Sequence, residues 1–202
     1  MQHLIVATRN AHKTREIQQI LGPDFAVRDL SVYAEISEIA ETGKSFEENA
    51  KLKAIAVSRR LSGLIIGDDS GLEVDALGGA PGIYSARYAG AHATHKEKID
   101  RLLKELARIG PKCSQRKARF RCALALARDG QILGTSEGTA EGTIVDRARG
   151  SHGFGYDPIF MPNGFDQTFG ELPIGLKNTI SHRARAIRGL GAKLAAAVLY
   201  EN

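Results

Sequence analysis

The chain contains 202 residues, of which 43% are hydrophobic, and its formal net charge is +5; this composition is that of an ordinary globular protein with one domain or two small lobes. The positive charge suits an anionic substrate or a nucleic acid, but aromatic residues make up only 6% and Trp is absent, so the stacking residues of a single-strand nucleic-acid binder are missing. Nucleic-acid partners are therefore not predicted. No apolar stretch approaches the ~20 residues of a membrane span, so no membrane partner is predicted either. Cys113 and Cys122 lack metal-ligand or redox spacing, which predicts reduced thiols and a cytoplasmic location.

The N-terminal half predicts strands that alternate with helices. Asn10 would begin a helix that ends at Gly22-Pro23. A capping box formed by Ser45 and Glu48 begins a second helix, which we expect to reach about Leu61. Strands are predicted over residues 4–7, 25–30 and 64–67, the last followed by a turn, with a continuation of the sheet over 72–75.

The C-terminal half adds a hairpin and a final helix. Thr94 and Glu97 form another capping box at the start of a helix, and Asp129-Gly130 predicts a tight hairpin turn. Because helices and strands alternate and then give way to a hairpin, the fold class is α/β with a mixed, twisted central sheet flanked by helices, in a single domain over residues 1–202. Further strands are predicted over 118–128, 131–145 and 157–160, and the last helix from Ser181 to about Leu199.

Two adjacent carboxylates follow the strand predicted over 64–67. Asp68 and Asp69 precede Ser70 and Gly71, which we expect to bend the chain. Ligands bind at the carboxyl ends of strands in α/β sheets, and Mg²⁺ takes one or two carboxylates together with substrate phosphates. The segment therefore predicts a metal-phosphate site, with an acidic turn capped by Ser70 as the structural alternative.

Residues 8–13 join the first predicted strand to the first helix. Thr8 and Asn10 can donate hydrogen bonds, the helix N-terminus offers free N–H groups, and Lys13 adds a positive charge. These groups predict a phosphate cradle without a glycine-rich loop. The alternative is a plain Asn10 N-cap beside a solvated Arg9 and Lys13.

Glu41 precedes Thr42-Gly43 in a loop from which its carboxylate could reach a metal. The helix that follows carries polar and charged residues that either face inward, as Glu48 and Asn49 could, or form a solvated surface. These residues are Glu47, Glu48, Asn49, Lys51 and Lys53.

A rigid loop over residues 153–158 contains Phe154 between two glycines. The Phe154 ring could stack on a flat base, and Asp157 could accept a hydrogen bond from a base or ribose. The alternative places Phe154 and Tyr156 in the core of a turn.

Lys177 and then Ser181, His182 and Arg183 lie at the start of the last predicted helix. Ser181 is explained as an N-cap. A cation at a helix N-terminus is unfavourable, so the positions of His182 and Arg183 predict an acceptor-rich partner.

Together these motifs resemble the inosine triphosphate pyrophosphatase family, in particular its bacterial dITP/XTP pyrophosphatases. The resemblance extends from Leu4 to the final helix and depends on the order of the motifs along the chain. The motifs are Thr8-x-Asn10-x-x-Lys13, Glu41-x-Gly43 with Glu48-Asn49-Ala50, Asp68-Asp69-Ser70-Gly71-Leu72, Gly79-x-Pro81-Gly82-x-Tyr84-Ser85-Ala86-Arg87, Gly153-Phe154-Gly155-Tyr156-Asp157-Pro158 and Ser181-His182-Arg183.

The resemblance implies Mg²⁺-dependent hydrolysis of the non-standard purine nucleoside triphosphates ITP, dITP and XTP to monophosphate and pyrophosphate. It also implies a homodimer of elongated two-lobed subunits, with the active site in a cleft between the lobes. It makes Asp69 the catalytic proton acceptor and, with Glu41, a metal ligand. The residues that it assigns to substrate binding are Thr8, Arg9, Asn10, Ala11, His12, Lys13, Ser70, Phe154, Gly155, Tyr156, Asp157, Lys177, His182 and Arg183.

Base selection can be explained by hydrogen bonding. Hypoxanthine and xanthine present an acceptor at C6 where adenine presents a donor, so a donor from Arg183 or a loop N–H would penalise adenine by ~1–3 kcal/mol. His182 or Lys177 could reject guanine at C2. Two departures from the family pattern, at Ser151-His152 and over residues 173–176, adjoin this expected base pocket. The alternative functions are a pyrophosphatase for modified pyrimidine nucleotides, a non-catalytic nucleotide-binding protein and a nucleic-acid binder.

Overall fold

The structure, a computed structural model, describes residues 1–110 and 116–199; Cys113 lies outside them, and Cys122 is a buried free cysteine. The strands are β1 (Gln2–Val6), β2 (Phe25–Asp29), β3 (Leu64–Val74), β4 (Lys117–Arg128), β5 (Gln131–Ile144) and β6 (Phe160–Pro162), and the α-helices are α1 (Ala11–Leu21), α2 (Phe46–Ser58), α3 (His95–Ile109), α4 (Ile174–Ile180) and α5 (His182–Leu199). The strands form one sheet in the order β2-β1-β3-β4-β5-β6, which confirms the predicted α/β class. No helix in the described ranges is long and apolar enough to cross a bilayer.

The described chain divides into two compact units, each with a core of its own. The first unit consists of the described parts of Met1–Asp69, Cys122–Gly138 and His182–Asn202, and the second of those of Ser70–Arg121 and Thr139–Ser181. β3, β4 and β5 each contribute residues to both units.

In the first unit, β1 is parallel to β2 and to β3, with Leu4 opposite Leu64. Side chains alternate along a strand, so the two faces of these strands are buried separately. Leu4 and Leu64 pack with residues of α1 and α5, whereas Ile5 and Ile65 pack with Val57 of α2. Burial on both faces explains why consecutive strand residues are apolar.

The second unit is built around α3 and a group of phenylalanine rings. Leu102 of α3 and Leu72 of β3 belong to the same core as Phe120, Phe160 and Phe169. The ring centroids of Phe120 and Phe160 are 4.7 Å apart, and those of Phe160 and Phe169 are 5.2 Å apart. Edge-to-face and tilted arrangements of this kind add to the stabilisation that burial provides.

Three local predictions are confirmed. Asn10 caps α1, and Thr94 with Glu97 completes both hydrogen bonds of the capping box of α3. Asp129 (φ 50°) and Gly130 (φ 77°) connect the neighbouring strands β4 and β5 in a two-residue turn. Positive φ at both turn residues is what a tight hairpin requires.

The turn predicted after residues 64–67 is wrong, because β3 continues through Asp68, Asp69, Ser70 and Gly71 to Val74. Two adjacent carboxylates are tolerated in a buried strand because each has cationic partners, as described below.

Smaller predictions are also wrong. α2 ends at Ser58 rather than near Leu61. At this end the Ser58 hydroxyl donates to the carbonyl oxygen of Ile55 and so competes with the backbone N–H groups of the helix for that acceptor. Residues 157–160 begin with a 3₁₀ turn, Asp157–Ile159, because Pro158 cannot donate to a strand ladder. At Ser45 the capping box is only half formed, because the Glu48 carboxylate accepts from the Lys44 N–H.

Gly67 generates a prediction about stability. A Cβ at Gly67 would lie 2.0 Å from the carbonyl oxygen of Ala50, so Gly67→Ala must separate β3 from α2. We expect the free energy of unfolding to fall by about 1–3 kcal/mol, the usual effect of overpacking. Urea denaturation would measure this loss. Gly191→Ala is the matched control, because nothing lies within 4 Å of its added Cβ and Ala favours a helix; equal losses in the two variants would contradict the close approach.

Candidate active site

Residues 8–13 are ordered by their own polar groups. Thr8 Oγ1 accepts from the Asn10 N–H at 3.1 Å, and Asn10 Oδ1 accepts from the His12 N–H at 3.0 Å. α1 therefore begins at Ala11, shortly after the end of β1. A helix N-terminus that follows a strand in this way is suited to binding phosphate.

Both cations of this segment have protein partners, although Arg9 is exposed and Lys13 is half-buried. Arg9 donates to the carbonyl oxygens of Leu30 at 2.9 Å and Ile36 at 2.6 Å, which fixes the chain after β2. Lys13 Nζ lies 2.5 Å from Asp68 Oδ1. The substrate contacts of Arg9 and Lys13 stay predictions.

Asp68 is fully buried, with 0% of its surface exposed, and is bound by two cations. Its Oδ1 pairs with Lys13, and its Oδ2 accepts from Arg183 Nε at 2.8 Å. Arg183 is also buried and pairs with Glu16 of α1. Burial would raise the pKa of Asp68, but Arg183 and Lys13 outweigh it and hold the pKa well below the usual 3.8. Asp68 therefore stays ionised at neutral pH.

These pairs explain the position of Arg183 in the first turn of α5. The acceptor-rich partner predicted for this cation is present as Glu16 and Asp68, so its burial does not by itself require a ligand. His182, immediately before it, is buried as well. The predicted contacts of His182 and Arg183 with a base stay predictions.

Asp69 has different surroundings, because successive side chains of a strand point to opposite faces. Its Oδ1 lies 2.9 Å from Lys53 Nζ, which lies 2.9 Å from Glu41 Oε1, and its Oδ2 accepts from Asn49 Nδ2 at 3.1 Å. Burial, with Glu41 acting in the same direction, raises the pKa of Asp69 against the opposing effect of Lys53 and Lys13. Asp69 is therefore the carboxylate of the two with the greater affinity for a proton.

Glu41 and Asp69 converge on one cation, the ammonium group of Lys53. Two carboxylates arranged in this way fit Mg²⁺, which takes one or two carboxylates and completes its shell with phosphate oxygens and water. Within residues 1–110 and 116–199, no three His, Cys, Asp or Glu side chains form a group that could hold an ion. Glu41 and Asp69 could therefore bind a metal only together with further oxygens supplied by substrate.

In the second unit, one ion pair organises the loop that contains Phe154. Asp157 Oδ2 lies 2.5 Å from Lys177 Nζ and accepts from the Phe154 N–H at 2.7 Å. A Cβ at Gly153 (φ 73°) would lie 2.0 Å from the same oxygen, so this position requires glycine. Lys177 Nζ also lies 5.4 Å from the centroid of the Phe154 ring.

The two aromatic residues of this loop differ in their surroundings. Tyr156 is buried and donates its hydroxyl hydrogen to the carbonyl oxygen of Ser85 at 3.0 Å, and burial raises the pKa of that hydroxyl. Phe154 is half-buried and its ring lies 6.4 Å from that of His95. Tyr156 is thus a core residue, and Phe154 is the better candidate to stack on a base.

The structure places the predicted site residues in two sets, one in each unit. Lys177 belongs to α4, a helix that the sequence patterns do not predict, and not to the start of the last helix. The first set consists of Thr8, Arg9, Asn10, Ala11, His12, Lys13, Glu41, Asp69, His182 and Arg183, and the second of Ser70, Phe154, Gly155, Tyr156, Asp157 and Lys177.

Three further residues, Glu16, Asn49 and Lys53, join the first set although no site role was predicted for them. Of the two residues that could face inward, Asn49 is buried and Glu48 is exposed. Asn49 and Lys53 lie on the stripe of α2 that also buries Val57. Polar residues at the periodic positions of an apolar stripe are a signal that the sequence contains. Glu16 offers no such signal, since its partner Arg183 is 167 residues away in the chain.

A helix N-terminus after a strand, with a lysine and a pair of carboxylates sharing one cation in the same unit, is typical of α/β proteins that bind phosphate groups. The sequence model of the Ham1 family matches residues 4–193, and the chain belongs to this family.

Named relatives match the chain over nearly its full length. It is 48% identical to the dITP/XTP pyrophosphatase of Bacillus licheniformis, over 96% of this chain and 98% of that protein. It is 47% identical to the dITP/XTP pyrophosphatase of Bacillus subtilis, over 97% and 98%. Its fold superposes on the HAM1 protein of Coxiella burnetii with a TM-score of 0.84 and 36% identity, over 98% of this chain and 100% of that one.

The Asp68 network leads to a prediction about stability in acid. Asp68→Asn leaves Arg183 and Lys13 with less compensating charge, so we expect a loss of about 3–5 kcal/mol in the free energy of unfolding at neutral pH. Because the folded-state pKa of Asp68 is lowered, its contribution is present above the ordinary pKa of 3.8 and is lost as the pH falls below it. The loss caused by the substitution should therefore shrink in acid.

Urea unfolding at several pH values measures this effect. Glu47→Gln removes an exposed pair with Lys51 on α2 and serves as the control, with an expected change of less than about 1 kcal/mol. Equal effects of the two substitutions would contradict the role given to Asp68.

Proposed function

We propose that the protein hydrolyses non-standard purine nucleoside triphosphates, namely ITP, dITP and XTP, to monophosphate and pyrophosphate, and so removes them from the nucleotide pool. The observation that carries the proposal is the 48% identity, over 96% of the chain, to a dITP/XTP pyrophosphatase. The predicted cytoplasmic location and homodimeric state belong to the same proposal.

The first unit would bind the triphosphate and the metal. The N–H groups at the start of α1, together with Lys13, suit the negative charge of the phosphates. Glu41 and Asp69 would hold Mg²⁺, which when bound helps to neutralise the triphosphate. Lys53 lies between these two carboxylates and is a further cation that could approach the phosphates.

Asp69 would take the proton from the attacking water. A general base works best when its pKa is near the operating pH, and burial moves the pKa of Asp69 in that direction. Asp68 is unsuited to this role, because Lys13 and Arg183 occupy its oxygens and hold its pKa low. The different partners of the two neighbours support the choice of Asp69.

The second unit would contribute to recognition of the base. Phe154 would stack on the purine, and the ion pair of Asp157 with Lys177 would keep the loop in place. A donor opposite the C6 oxygen, from Arg183 or a loop N–H, would disfavour adenine, whose amino group meets that donor without an acceptor. His182 or Lys177 would reject guanine at C2.

The substitution Asp69→Asn tests the catalytic role. The variant should bind nucleotide but turn over ITP at least ~10²-fold more slowly, the scale of a lost general base. Pyrophosphate release with Mg²⁺ is measured for ITP, dITP, XTP, ATP and a modified pyrimidine triphosphate, with exposed Asp146→Asn as the control. Near-normal turnover in Asp69→Asn would remove Asp69 from the mechanism, and a preference of the wild-type enzyme for the pyrimidine would reject the proposed substrate class.

Stacking on Phe154 has a separate test. Phe154→Ala should weaken ITP and ATP alike by ~1–3 kcal/mol, because stacking does not distinguish one purine from another. The measurement is kcat/KM for both nucleotides, and Tyr84→Ala, at an exposed aromatic residue of the same unit, is the control. If the ITP-to-ATP ratio changed several-fold instead, Phe154 would have a role in selecting the base.

A further inference from the structure

Asn49 of α2, like Lys53, has a side chain that forms hydrogen bonds to both segments that carry the candidate metal ligands. It is completely buried, with 0% of its surface exposed. Its Nδ2 donates to Asp69 Oδ2 at 3.1 Å, and its Oδ1 accepts from the Gly43 N–H at 2.8 Å. A primary amide can donate from its nitrogen and accept at its oxygen, and so can bridge two segments.

The bond to Gly43 fixes the segment that bears Glu41. A Cβ at Gly43 would lie 2.7 Å from Asn49 Oδ1 and 3.0 Å from the Asn49 nitrogen, so glycine is what permits the loop to approach α2. Glu41, two residues earlier, reaches Lys53 Nζ. The position of the Glu41 carboxylate therefore depends on the contact between Gly43 and Asn49.

The bond to Asp69 fixes the rotation of its carboxylate. With Oδ2 bound to Asn49, Oδ1 is the oxygen that faces Lys53, the cation that Asp69 shares with Glu41. Replacing the amide by an apolar side chain would leave the half-buried N–H of Gly43 and a carboxylate oxygen of Asp69 without this partner, and both losses are unfavourable.

We propose that Asn49 is a positioning residue of the active site, which keeps Asp69 Oδ1 and the Glu41 carboxylate directed at one position, where a divalent cation would bind. The proposal rests on the proposed function for its kinetic consequence, but its structural part does not. Hydrogen-bonding partners of metal ligands typically change metal affinity or activity by 10–100-fold when they are removed.

The test uses the full chain with Asn49→Ala and Gly43→Ala, which break the same contact from its two ends. Ser58→Ala is the control, because Ser58 is a buried polar residue of the same helix whose hydroxyl accepts from the Gly130 N–H instead. Gly43 lies in a loop before α2, so Gly43→Ala can still test the contact if Asn49→Ala does not fold.

Three measurements are made on each variant. Hydrogen exchange of the amides around Gly43 reports the contact itself, calorimetry with Mg²⁺ and a non-hydrolysable ITP analogue reports cation affinity, and steady-state kinetics separates kcat from KM for ITP. We expect faster exchange at residue 43, about tenfold weaker Mg²⁺ binding and a kcat lowered about tenfold or more, with KM for ITP changed less than about twofold. Ser58→Ala should match the wild type in all three.

Folded variants with wild-type exchange, Mg²⁺ affinity and kcat would overturn the proposal, as would losses confined to KM. If the wild-type protein released no pyrophosphate from any purine triphosphate, the proposed function would fail. Exchange at residue 43 would then still decide whether Asn49 holds the Gly43 segment against α2.

Discussion

The burial of two adjacent carboxylates in β3 is the constraint on which the first unit depends. Asp68 and Asp69 lie in the middle of an eleven-residue strand, and an uncompensated buried charge is strongly destabilising. Since neighbouring side chains of a strand point to opposite faces, each carboxylate must find cations on its own side of the sheet. Asp68 is neutralised from α1 and α5, and Asp69 from α2.

The same alternation governs the apolar residues of the strand. Leu64 and Ile66, on the same face of β3 as Asp68, belong to the core formed with α1 and α5. Ile65, on the same face as Asp69, packs with α2. The helices that cover the two faces thus also carry the compensating charges: Lys13 on α1, Arg183 on α5 and Lys53 on α2. Packing and charge compensation therefore position the same three helices around β3.

This arrangement gives chemically identical neighbours different properties. Asp68 is held as a permanent anion that anchors Lys13, while Asp69 retains a raised proton affinity beside a shared cation. The difference comes from geometry alone: Asp68 receives two cations directly, whereas Asp69 shares Lys53 with Glu41. One strand can in this way supply both a fixed support for Lys13, the lysine proposed to bind phosphate, and a group able to accept a proton.

The sequence predicts the fold class, the helix caps and the hairpin turn, because these depend on local signals. Asn10, Thr94 and Asp129-Gly130 each act within a few residues. The continuation of β3 could not be predicted, because turn-favouring residues at 68–71 are overridden by partners such as Arg183 that are distant in sequence. The contacts of Asn49 and Lys53 could not be predicted for a different reason: their periodic position on α2 indicates that they are buried but not what they contact.

An NMR titration of the side-chain carboxyl carbons of Asp68 and Asp69, in the protein without added metal, tests the division between them most directly. Asp69 should titrate above the ordinary pKa of 3.8, and Asp68 well below it. A single shared transition near the ordinary value, or the reverse order, would contradict the assignment of one carboxylate to support and the other to proton transfer.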